Sequence, residues 1–207
     1  MVEVKLPIRG FILLPPSTVV GYYGVDRNPF VPCVIEAEID KNAKLINSYT
    51  WSLYPPGWRR EAYQLYEDNL VPDTGDDLDL VSNKEIALEI RNIIEPHLGP
   101  HEVVACDIWN IGAASEPQQN GDTFLGFDAA YLGGDFFSAV RAGLFGSPWF
   151  YEKPNPRLIS EYKNALNRFG LFDNAEIISL YIQTFKEEAP SEQDSEFYVW
   201  RLNRVEK

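Results

Sequence analysis

Three carboxylates stand where this sequence could use them in acid–base chemistry. Asp128 lies between Phe127 and Ala129 in an apolar, strand-like run, and Asp135 follows the Gly133-Gly134 pair a few residues later. Glu36 shares one strand face with Glu38, about 7 Å away by strand rise. A glycosidase-type hydrolase needs two carboxyls roughly 5–9.5 Å apart, so Asp128 with Glu36 or with Asp135 is the candidate catalytic pair. Each residue also has a plainer reading. Glu36 and Glu38 suit the wet face of a half-covered strand, Asp135 suits a helix cap, and Asp128 suits a hydrogen-bonded structural aspartate.

Other chemistries find less support. His97 and His101 are four residues apart and Cys106 follows, but Gly99-Pro100 breaks any helix that would align the two imidazoles, and no glutamate stands between them as in HExxH. The Asp73, Asp76, Asp77, Asp79 run lacks the spacing, the central glycine and the terminal bidentate glutamate of a calcium loop. There is no GxSxG elbow, no GxGxxG and no GxxxxGK[ST]. Neither a metal nor a cofactor is expected, and the balance leans away from an enzyme.

Charge and aromatics point instead to binding. The chain carries 31 acidic and 18 basic residues, a net charge of −13. Such a field repels a phosphate backbone and steers a basic protein inward, so a basic protein partner is expected and nucleic acid is not. Several aromatics neighbour Pro or Gly in loop-like stretches, notably Tyr54-Pro-Pro-Gly-Trp58 and Ser147-Pro-Trp149-Phe150-Tyr151. Aromatics beside carboxylates suit a protein-binding patch. The candidate binding residues are Tyr54, Trp58, Trp149, Phe150 and Tyr151, with Asp76 and Asp77 from the acidic loop. Self-association through the same aromatics is a further expectation.

The chain has 207 residues, 45% of them hydrophobic and 14% aromatic. That is enough to bury roughly 70% of the unfolded surface without disulfides or metals. No apolar run approaches the roughly 18 residues a membrane span needs. The N-terminal stretch reads as no signal peptide. The two cysteines, Cys33 and Cys106, fall in apolar strand-like runs and read as buried, reduced thiols. A cytoplasmic protein without membrane attachment is the expectation.

These residues must be positioned by a β-rich first half and a helix-rich second. Gly10–Leu14 is a short apolar strand. Residues 31–54 read as a hairpin, with Val31, Cys33, Ile35, Ala37 and Ile39 on one face. Trp58–Leu70 has helical spacing. Ser82 and Glu85 form a capping-box pair that opens a helix with Ile86, Ile90, Ile93 and Ile94 as its stripe, limited by Pro96. Strands are expected over Glu102–Ile111 and Thr123–Tyr131, with the 112–122 stretch as a loop. Gly133-Gly134 should turn the chain into a helix bearing Phe137, Val140 and Leu144. A helix is expected over Arg157–Phe169, capped by Gly170, and another over Asn174–Glu188, opened by Asp173 with Glu176. Glu196–Val205 closes as a strand with one face exposed. Strands and helices do not alternate strictly, so a doubly wound sheet is disfavoured. The reading is one α+β domain over residues 1–207, with a possible subdivision near 112–122: a mixed, mostly antiparallel sheet covered by about five helices.

The layout FLGFDAAY–GGDFFSAVRAGLF, then LNRFGLF–DNAEIISLYIQTF, then FYVWRL resembles that of uncharacterised small bacterial proteins, among them immunity proteins of polymorphic or contact-dependent toxin systems. The likeness covers about the C-terminal 40% of the chain. Its motifs are packing motifs, so it implies a toxin-binding role and carries over no functional residue.

Overall fold

The computed structural model describes residues 9–14, 57–71, 78–98, 100–108, 122–131, 139–145 and 154–205. In chain order the elements are β1 (Arg9–Leu14), α1 (Gly57–Glu67), β2 (Leu70–Val71), β3 (Leu78–Val81), α2 (Lys84–Leu98), β4 (Glu102–Ile108), β5 (Thr123–Tyr131), α3 (Ala139–Phe145), α4 (Pro156–Tyr162), α5 (Ala175–Glu188) and β6 (Phe197–Arg204). The hairpin expected over residues 31–54 and the Gly133-Gly134 turn lie outside the described residues.

The fold is α+β around one six-stranded sheet, ordered β2-β3-β1-β4-β6-β5. Every described pairing is antiparallel, so the expected mixed sheet gives way to an antiparallel one. Strands from both sides of residues 112–122 pair in it, β4 and β5 each against β6. β4 is central and reads as a continuous apolar run because both its faces are buried: Val103, Val104, Ala105 and Cys106 are all 0% exposed.

Register sorts the side chains onto two faces. Cys106 pairs with Leu202 and Ala105 with Asn203, so even and odd positions of β4 and β6 separate cleanly. The odd face carries the helices. Phe11, Leu13, Val81, Val103, Ala105 and Val205 pack against Ala62, Tyr66, Ala87, Ile90 and Ile94 of α1 and α2. Phe127, Ala129 and Val199 pack against Val140, Leu144, Leu158, Ile178, Tyr181 and Phe185 of α3, α4 and α5. The other face gathers Leu80, Val104, Cys106, Ile108, Ala130, Trp200 and Leu202, with Leu171 and Phe169 against them. On this face Gly10 faces Leu80 so closely that an added Cβ would collide with it.

Several local details differ from the sequence expectations, each for a hydrogen-bonding reason. Asn83, not Ser82, opens α2: its Oδ1 accepts from the backbone N–H of Glu85 at 2.8 Å and of Ile86 at 3.2 Å. Pro96 sits inside the last turn of α2, and the helix runs on to Leu98. Asn174, not Asp173, caps α5, accepting from Glu176 N–H. Asp173 is instead held by the Asn167 amide at 2.6 Å. The helix expected over Arg157–Phe169 ends at Tyr162, followed by a 3-10 turn over Lys163–Ala165. Asn167 draws the chain away from the helix: its Oδ1 accepts from Phe169 N–H and Leu171 N–H, and its Nδ2 donates to the Leu125 carbonyl. Gly170 therefore serves a tight turn at φ 72° rather than a helix cap. β6 lacks the exposed face expected of it, since Val199, Trp200, Leu202 and Asn203 are buried on both sides. Leu70, expected to end α1, begins β2.

Candidate binding surface

Asp128 lies on β5 opposite Trp200, on the sheet face away from the helices, and is 0% exposed. Its Oδ1 accepts from the N–H of Ala129 at 2.7 Å. That N–H points to the outer edge of β5, where Phe127 exchanges both backbone bonds with Phe172 and the Leu125 carbonyl accepts from Asn167. Three successive outward positions of an edge strand are thus occupied by a side-chain amide, a backbone bridge and a carboxylate. One carboxylate oxygen of Asp128 is thus engaged by the backbone of its own strand. Glu36 and Asp135, its expected catalytic partners, lie outside the described residues.

The histidines diverge. His97 is exposed on α2, whereas His101 is buried at the start of β4, and its backbone N–H donates to Glu95 Oε1 at 3.1 Å. Cys106 is a free, buried thiol on the far face of β4. Burial, then the negative charges of Asp107 and Asp128, push it well above the ordinary thiol range. Such a thiol is a poor nucleophile.

One acidic surface is built by α1 and α2. These helices run antiparallel on one sheet face. At one end Trp58, near the start of α1, stacks on His97, near the end of α2, with ring centroids 4.4 Å apart and an 8° interplanar angle. At the other end Ser82 N–H donates to the Asn69 carbonyl at 2.7 Å. Their inward stripes, Ala62 and Tyr66 on α1 and Ala87, Ile90 and Ile94 on α2, are spaced three or four residues apart, as an amphipathic helix requires. The opposite stripes face water. Glu61, Glu67, Asp68, Glu85 and Glu89 are exposed there against one exposed described cation, Arg60.

The distribution along α1 is the telling feature. Arg59 and Arg60 stand in its first turn, with no acid there, and Glu67 and Asp68 stand at its end, with no base there. A helix favours anions at its N-terminus and cations at its C-terminus by about 0.3–1 kcal/mol each, so α1 is charged against its own dipole at both ends. The Ser82–Asn69 bond brings the end of α1, with Glu67 and Asp68, next to the start of α2, whose first two turns carry the exposed Glu85 and Glu89. Lys84, also there, is turned toward Asp122 at 3.8 Å.

Local contacts hold this patch in place. Gln64 Nε2 donates to Asp68 Oδ1 at 2.8 Å. Tyr63 hydrogen-bonds Glu67. Desolvation first, then that bond and the Glu67 charge, raise the Tyr63 phenol above its ordinary value. Trp58 itself is half-buried, with its ring against His97 at the opposite end of the helix pair.

Of the expected binding residues, Trp58 alone is described, half-buried against His97 at the end of the helix pair away from Glu67 and Asp68. Tyr54, Asp76, Asp77, Trp149, Phe150 and Tyr151 lie outside the described residues. The sequence reading did not single out Glu61, Glu67, Asp68, Glu85 and Glu89 as exposed acids of one helix pair. The signal was present in the four-residue spacing of Glu85 and Glu89 opposite the isoleucine stripe, and in the charge order along α1. Among the described residues no helix is long and apolar enough to cross a membrane. No family model, curated protein or solved structure matches the chain.

Proposed function

We propose that the protein is a cytoplasmic, non-enzymatic binding module whose acidic α1–α2 surface docks a basic protein partner, as an immunity-type inhibitor docks its toxin. The observation that carries this reading is the charge order of α1. Arginines at its start and acids at its end lower the stability of the helix, so fold stability alone does not account for them. The acids at its end, with Glu85 and Glu89 in the first turns of α2, form the proposed docking patch on a chain of net charge −13. Long-range attraction from that patch accelerates encounter with a cationic surface, and an aromatic such as Trp58 supplies the short-range anchor. Tyr54, Asp76, Asp77, Trp149, Phe150 and Tyr151 are the further residues proposed to contact the partner.

The test is affinity capture from the native host with two baits, the wild-type protein and the variant Glu67→Gln/Asp68→Asn/Glu85→Gln. The reading expects one protein rich in Lys and Arg, retained by the wild type and depleted with the variant at equal folded concentration. Equal recovery on both baits places the interface elsewhere. Recovery of only the protein itself favours self-association.

A further inference from the structure

We draw no further inference here: the strongest candidate, the buried sheet face opposite the helices that carries Leu80, Cys106, Asp128, Trp200 and Leu202, supports none because the described residues do not show what covers it beyond Leu171 and Phe169.

Discussion

The ring of Trp58 lies flat on the imidazole of His97 at 4.4 Å, tying the first turn of α1 to the last turn of α2. Offset stacked aromatic pairs contribute about 0.5–1.5 kcal/mol beyond the area they bury. A double-mutant cycle through Trp58→Ala and His97→Ala should therefore return a coupling energy in that range by urea unfolding. Additive single effects would mean that the two rings touch without stabilising the helix pair.

Removing charge from the end of α1 should strengthen the fold. Glu67→Gln keeps an acceptor for Tyr63 and Asp68→Asn can keep the Gln64 contact, so each change mainly deletes an anion from a helix C-terminus. Each is expected to stabilise by about 0.3–1 kcal/mol at low salt, read as a shift in urea midpoint at constant slope. The same changes should weaken partner binding. Destabilisation by both would remove the argument that these acids serve something other than the fold.

Gly126 is needed for its backbone and for its lack of a side chain. It sits in β5 at φ 145°, beside the register shift against β6, and an added Cβ would lie 2.5 Å from Leu171 Cβ and 3.0 Å from the Phe172 carbonyl. Both backbone strain and overpacking apply, so Gly126→Ala should cost about 2–5 kcal/mol in thermal or denaturant unfolding. A melting temperature unchanged within error would contradict the bulge geometry.

Cys106 makes a signed pH prediction. Its thiol is raised in the folded state by burial and by Asp107 and Asp128, whereas unfolding returns it to an ordinary thiol, about 8.5. The unfolded chain then releases the proton first as pH rises. The stability linked to this group is complete below about pH 8.5 and is lost progressively above it, toward the raised folded value. Cys106→Ala should flatten the fall of stability between about pH 8.5 and 10, even though the cavity lowers stability at every pH. A thiol reagent should label Cys106 slowly in the native protein and quickly in urea. An unchanged alkaline slope in Cys106→Ala, or rapid native labelling, would show that the thiol is exposed.

The sequence made the central strands and the long helices legible. Thr123–Tyr131 carries a strand over its expected span, and the isoleucine stripe of α2 predicts the buried face that forms. Helix and strand ends were less legible, because Asn, Asp and Ser compete for the same few backbone donors. Which neighbour wins depends on geometry, as Asn83 over Ser82 and Asn174 over Asp173 show. Asn167 illustrates the same limit, since its bond to Leu125 spans 42 residues and breaks a helix that local spacing favours. The candidate binding surface was partly legible. Net charge announced an acidic surface, but its location needed the antiparallel packing that brings the end of α1 to the start of α2. That packing is read from Trp58 on His97 and Ser82 on Asn69, contacts between residues distant in sequence or separated by a two-strand excursion.

The central claim is that a basic protein is steered onto the α1–α2 acids. Stopped-flow association of the captured partner, measured at two salt concentrations with wild-type and Glu67→Lys/Asp68→Lys proteins, tests it most directly. Screening over about 10 Å at 0.1 M salt should slow the wild-type on-rate far more than the off-rate, and the charge-reversed protein should associate more slowly with a shallower salt dependence. Equal on-rates for the two proteins, or no protein partner alongside turnover of a small substrate that Asp128→Asn abolishes, would contradict the claim.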